Sequence, residues 1–123
     1  MSRLKVKQGN GRKFTLSLVD ASNNFQPMDL SGEDVEVFFM AKENLGDEDQ
    51  KGVIDKSTTI EGIEIDDPQG GVIILTIEPN DTVSLNPLKK YVADIMVRKE
   101  GIPYSSDTIE LIVESVVRRE HDI

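Results

Sequence analysis

The side chains that could do chemistry in this sequence are almost all carboxylates. Asp47-Glu48-Asp49 and Asp66-Asp67 are clusters of hard oxygen donors, the ligand type that Ca²⁺ takes. An EF-hand loop needs alternating ligands, a central glycine and a closing glutamate at fixed spacing, and neither cluster has them. With 23 acids in 123 residues, carboxylate pairs arise by chance and do not by themselves indicate glycoside chemistry, which needs two acids at a set separation in a cleft. Ser105-Ser106-Asp107 offers hydroxyls and an acid, but the sole histidine, His121, falls in a polar stretch far from them in sequence. Gly9-Asn10-Gly11-Arg12 resembles the start of a phosphate cradle only superficially. A P-loop leads through Lys-Ser/Thr into a helix, whereas here a strand pattern begins at Lys13, so a hairpin turn is expected. There is no cysteine, which excludes disulfides, thiolate metal sites and thiol catalysis. The expectation is a protein that is not an enzyme and has no catalytic, cofactor or metal site.

Asp94 stands apart because it lies within an apolar run, between Ala93 and Ile95. By strand parity it points with Val92 and Met96, opposite Tyr91. It is either an acid on a solvent face or a structural acid whose carboxylate accepts backbone amides of a neighbouring loop.

The stronger signal is how charge is distributed. Net charge is −9 and the pI is about 4.5, which argues against nucleic acid or an anionic membrane as partner. Yet Arg3, Lys5, Lys7, Arg12 and Lys13 give the first 19 residues a charge of +5 with no acid. Residues 43–67 carry nine acids against Lys51 and Lys56, a net −7. One reading is a solvated loop beside a basic edge strand. The other is a pair of docking surfaces, Arg3, Lys5, Lys7, Arg12 and Lys13 on one copy facing Asp47, Glu48 and Asp49 on another, where opposite charge sets orientation and register.

The elements that must hold these residues are strands. Lys13–Asp20 alternates, with Phe14, Leu16 and Leu18 facing inward and Thr15 and Ser17 facing water. Residues 21–24 are turn chemistry, and Gln26–Gly32 is a loop with one anchoring leucine, Leu30. Asp34–Ala41 puts Val35, Val37 and Phe39 on one face. Phe38 and Met40 lie on the other, so its middle is covered on both sides or meets a partner. Residues 42–52 form a mobile acidic loop, and Gly52–Lys56 and Thr59–Ile65 are short strands. After the turn at Asp66–Gly71 comes the most β-rich run, Gly71–Glu78, ended by Pro79. Asn80–Leu85 predicts one helical turn capped by Asn80 or Asp81.

Lys90–Lys99 is a long strand with Tyr91, Ala93, Ile95 and Val97 inward, and Glu100-Gly101 is a tight hairpin signal. Pro103-Tyr104 opens a final strand region, Ser106 to about Val117, with Ile109, Leu111 and Val113 inward. Residues 118–123 are a polar tail. These pieces predict a single domain over residues 1–123, an all-β antiparallel sandwich of about seven or eight strands. There is no apolar stretch of 18 residues and no signal-peptide core behind the basic start, so synthesis in the cytoplasm without a membrane span is expected.

The order of pieces also resembles a known family. Gln8-Gly9 before Lys13-Phe14-Thr15-Leu16, then Asp29-Leu30-Ser31-Gly32, then Val35–Met40 make the first half. Gly70-Gly71-Val72-Ile73-Ile74-Leu75, Asp81-Thr82, Tyr91-Val92-Ala93-Asp94-Ile95 and the Glu100-Gly101 hairpin make the second. Together, over residues 5–118, they resemble the N-terminal attachment domain of upper baseplate proteins from tailed phages of Gram-positive hosts, and related phage tail and neck modules. Leu30 and Gly32 match that family's loop before a strand, and Tyr91 and Asp94 its tyrosine-x-x-aspartate strand. Leu88-Lys89-Lys90 stands where the family has glycine before the tyrosine.

The resemblance implies an immunoglobulin-like sandwich acting as a virion structural protein in a tail, baseplate or head–tail neck. The expected partners are other virion proteins and further copies of the chain, with β-augmentation at edge strands as an added contact. Expected too is a stand-alone accessory protein or other virion component, made in the host bacterial cytoplasm. The alternative is an immunoglobulin-like module that binds carbohydrate or a cell-surface protein, for which Tyr104 is the one exposed aromatic expected.

Overall fold

The structure, a computed structural model, describes residues 2–21, 24–48, 52–106 and 108–115. Among them are eleven strand segments and one helical turn. The strands are β1 (Ser2–Lys7), β2 (Arg12–Ser17), β3 (Val19–Asp20), β4 (Gln26–Pro27), β5 (Val35–Lys42) and β6 (Ile54–Ser57). They continue with β7 (Ile63–Asp67), β8 (Val72–Ile77), β9 (Lys90–Lys99), β10 (Ile102–Ser105) and β11 (Ile109–Glu114). The helical turn α1 (Pro79–Thr82) lies between β8 and β9. The wide sheet runs β1-β11-β9-β5-β6, with β10 on β9. A narrow sheet runs β2-β8-β7, and β3 pairs with β4.

The all-β class holds, and the expected faces are the buried ones. Val37 and Phe39 on β5, Tyr91, Ala93, Ile95 and Val97 on β9, Leu111 and Val113 on β11, and Ile73 and Leu75 on β8 form one core with Leu30. Period-two alternation places each of these apolar sets on a single sheet face. The outward partners, Phe38, Met40, Val92 and Met96, are half-buried.

Four expectations need correction. Among the described residues the strands number eleven, not seven or eight, because two runs break and Gln26–Pro27, expected as loop, pairs with β3 as β4. Lys13–Asp20 splits at Leu18, whose N–H donates to the Gly71 carbonyl (2.8 Å) and whose own carbonyl accepts from Met28 N–H (2.9 Å). The last region splits where Ser105 stands opposite Met96 but Ile109 stands opposite Ala93, so β9 spends two residues where the other strand spends three. That one-residue bulge shifts parity, so Tyr104 opposite Val97 and Ile109 opposite Ala93 share the inner face despite odd spacing.

Pairing is mixed rather than wholly antiparallel. β1 lies parallel to β11, with Leu4 opposite Leu111 and Val6 opposite Val113. The Gln8–Gly11 turn is therefore not a hairpin but a crossing from the wide sheet to the narrow one. Gly9 takes a positive φ of 75° there, and Asn10 N–H closes on the Lys7 carbonyl (3.0 Å). Parallel pairing needs a long connection, and here the whole intervening chain supplies it.

The loop expected over 42–52 begins one residue later, since Lys42 ends β5, opposite Val92 of β9. Asn44–Asp47 is a turn closed by Asp47 N–H on the Asn44 carbonyl (3.1 Å). Residues 49–51, like the expected tail 118–123, lie outside the described residues. Finally, the helical turn is capped by Glu78, not by Asn80 or Asp81. Proline is tolerated at the first helical position because its missing N–H has no partner there anyway, so the cap falls before Pro79. Asp81 instead reaches back to accept the Glu78 N–H (2.7 Å).

Candidate interaction surfaces

The basic residues of the first strands split between two roles. On β1, Leu4 and Val6 face the core, so Arg3, Lys5 and Lys7 project from the outer face of the wide sheet. Arg3 is tied within the chain to Glu110 of β11 (Nε to Oε2, 3.0 Å). Lys5 and Lys7 are exposed. Arg12 Nη1 donates to the Lys5 carbonyl (2.6 Å), and its guanidinium lies 4.6 Å from the Phe14 ring centroid, so it ties the two sheets at this corner. Lys13 is exposed on the narrow sheet.

On the acidic side, Asp47 Oδ2 accepts Asn44 N–H (3.1 Å), and its carbonyl accepts Lys42 Nζ (2.9 Å). It therefore works first as a turn residue. Glu48 is exposed, and Asp49 lies outside the described residues. Asp67 likewise serves its own turn, accepting Gly70 N–H (3.1 Å). Among the described residues no group of three acids or histidines converges in a metal-holding arrangement. Ser106 Oγ accepts Ile95 N–H (3.0 Å) at the bulge, while Asp107 and His121 lie outside the described residues. Asp94 is exposed on the outer face, opposite Met40, which settles its two readings in favour of the solvent face.

Residues 43–67 are not one acidic loop. They include β6 and β7, and within β6 the charge alternates in direction. Asp55 faces outward, whereas Lys56, opposite the buried Phe39, points into the core at 3 % exposure. Its ammonium meets Asp81 Oδ2 at 2.8 Å. Sequence pattern gave no sign of this, because a lysine in an acidic stretch reads as a surface residue.

Two concave surfaces result. One is a cleft of about 570 Å³ between the sheets, lined by Leu16, Leu18, Met28, Ile95 and Ile109, with Phe25 and Tyr104 at its margin. Phe25 is 68 % exposed with φ of 58°, an unusual backbone for an aromatic residue, and so is a second exposed aromatic beside Tyr104 at 42 %. The other is a depression of about 480 Å³ on the outer face of the wide sheet. Its floor is Phe38, Met40, Val92 and Met96, and the exposed Leu45 and Ile60 also line it. At its upper end Arg98 lies 5.1 Å from the Phe38 ring and 3.7 Å from Glu36 Oε1.

Charge frames this second surface. Across the sheet order, Arg3, Lys5 and Lys7 occupy the β1 edge, while Asp55 lies on the β6 edge and Glu43, Asp47 and Glu48 follow β5. Part of each charge block seen in the sequence thus borders one sheet face, while Arg12, Lys13, Glu64, Asp66 and Asp67 lie on the narrow sheet. No helix among the described residues is long and apolar enough to cross a membrane. No family model matches the chain, and no curated protein matches its sequence.

Proposed function

We propose that the chain is an immunoglobulin-like sandwich serving as a non-enzymatic structural protein of a tailed-phage virion, in a tail, baseplate or head–tail neck. It works by contacts with other virion proteins and with further copies of itself. The observation that carries this reading is the outer face of the wide sheet, where a half-buried apolar floor lies between a basic and an acidic border. A face built that way suits the docking of a polypeptide, with apolar contact at the centre and charge orienting the rim.

Two features support the immunoglobulin-like part of the reading. The five-strand path and the β2-β8-β7 sheet share one core, as two packed sheets do. The Tyr91 hydroxyl, at the start of β9, accepts the Asn86 N–H (2.9 Å) five residues upstream, as in a tyrosine corner. The resemblance over residues 5–118 supplies the virion setting.

The test is mass spectrometry of tailed particles purified from a host that carries this gene. The chain should co-purify with intact particles at a fixed copy number relative to known tail proteins. Its presence only in the soluble cell fraction would overturn the reading. A second reading, a carbohydrate- or cell-surface-binding module, is favoured by Phe25 and Tyr104 lining the same cleft. A glycan array with the wild-type chain and a Tyr104→Ala variant discriminates it.

A further inference from the structure

We infer that the outer face of the wide sheet pairs with the same face of a second copy, about a two-fold axis that runs parallel to the strands between β5 and β9. This rests on the proposal that the chain works by subunit contacts, and it names one of those contacts.

The register of β5 and β9 makes the face self-complementary. Glu36 stands opposite Arg98, Phe38 opposite Met96, Met40 opposite Asp94 and Lys42 opposite Val92. A two-fold axis midway between these strands lays each strand over the other's counterpart. Arg98 then meets Glu36 of the second copy, and Met96 meets its Phe38, a sulfur–aromatic contact. Asp94 lies over Met40 of the second copy, one pairing step from its Lys42, within a lysine's reach. An isologous contact of this kind closes at two copies.

The alternative, a two-fold axis perpendicular to the strands through Phe38 and Met96, would set each of these residues against its own copy and carry β1 away from β1. The strand-parallel axis swings the β1 edge to the opposite border, beside the Asp47–Glu48 turn of the second copy. Shape agrees with this choice. Leu45 (73 % exposed) and Ile60 (82 %) belong to segments adjoining β5 and β6. The axis carries those segments over the β10–β11 half of the second copy.

The face is of modest size. The axis leaves β9, β11 and β1 on one side and β5 and β6 on the other, so four strand positions overlap; at about 4.8 Å each and up to eight residues of about 3.3 Å, they give a footprint of at most roughly 500 Å² before side-chain corrugation. A standard interface buries about 800 Å² per partner. A dimer that forms reversibly with concentration is therefore expected.

Light scattering coupled to size-exclusion chromatography, from about 1 μM to about 1 mM chain, reads the assembly directly. The expected result is a shift toward twice the 13.7 kDa chain mass as concentration rises. Met96→Glu should abolish that shift while the circular-dichroism melt stays intact. Geometry is read by cross-linking, which the absence of cysteine makes clean. Lys5→Cys mixed with Glu48→Cys should give an inter-copy bis-maleimide link, and Lys5→Cys alone should not link to itself. A monomer at every concentration, a dimer indifferent to Met96→Glu, or self-linking by Lys5→Cys would each overturn the inference. A chain that is monomeric yet present in purified particles sinks this pairing and leaves the structural role standing. A chain that dimerises as described yet is absent from particles does the reverse.

Discussion

Lys56 and Asp81 form an ion pair between the edge strand β6 and the helical turn α1, with Nζ 2.8 Å from Oδ2 and the lysine almost wholly buried. Desolvating an ammonium is unfavourable, and the pair recovers that only while both members remain. Asp81→Asn removes the partner charge and weakens the link to Glu78 N–H, so it should destabilise the fold by about 2–3 kcal/mol in urea denaturation. Lys56→Met removes the more deeply buried charge and leaves only the 21 % exposed Asp81 without its partner, so it should destabilise less than Asp81→Asn. The same variant should scatter more light on storage, because an inward-pointing charge guards an edge strand against pairing with another chain. Equal destabilisation by both substitutions would show that the pair does not work this way.

Gly71 tests backbone packing rather than charge. A Cβ there would lie 2.6 Å from the Leu18 carbonyl oxygen and 2.7 Å from that of Met28, at a φ of 69°. Gly9 shares the left-handed backbone, with φ of 75°, but a Cβ there would meet nothing within 4 Å. Gly9→Ala should therefore destabilise by only the left-handed strain, about 1–2 kcal/mol. Gly71→Ala should exceed it by at least about 2 kcal/mol, because backbone atoms cannot step aside. Paired denaturation curves measure the difference, and equal midpoint shifts would refute it.

Tyr91→Phe keeps the ring in the core and removes only the hydroxyl that accepts from Asn86 N–H. The expected loss is about 1 kcal/mol, the net worth of one hydrogen bond near water. Amide exchange at Asn86 should quicken, while core amides of β9 change only with global stability. A variant as stable as the parent, with unchanged exchange at Asn86, would remove the corner from the list of stabilising contacts.

Among the described residues Asp29 carries the one clear pH signature. The Ser31 hydroxyl and then its backbone N–H (3.0 Å) donate to the Asp29 carboxylate, with Lys99 adding positive potential, and together they hold its pKa below 3.8. A folded-state pKa that is depressed contributes stability above the unfolded value, and that contribution is lost as pH falls through the folded one. Carboxyl-carbon NMR should give Asp29 a midpoint below 3.8, and Ser31→Ala should raise it. An unmoved midpoint in that variant would assign the shift elsewhere.

How much of this was legible in the sequence depends on the range of the interaction. The inner faces of β5 and β9 and the Glu100-Gly101 turn, with φ of 53° and 81°, follow from local periodicity and turn chemistry. The loss of pairing at Leu18 does not, because it depends on Gly71 and Met28 arriving from other strands. Nor does the inward aim of Lys56, which requires Asp81 on a distant element and the space left by Gly62, where a Cβ would lie 2.4 Å from Lys56 Cδ. Of the interaction surface, composition revealed the charge blocks and the two-sided apolar pattern of Phe38 and Met40. That Arg3, Lys5 and Lys7 border one sheet face opposite Glu43, Asp47, Glu48 and Asp55 came only from the strand order.

The parallel pairing of β1 with β11 bears on how the chain is made. Arg3 and Glu110 are 107 positions apart, so β1 leaves the ribosome long before the strand that pairs with it. Until β11 is made, β1 has no strand neighbour among the described residues, and such high contact order slows closure of the sheet. An unpaired strand carrying Leu4 and Val6 is a hazard in that interval. Arg3, Lys5 and Lys7 interleave it with like charge, which repels a second nascent β1 until its own partner emerges.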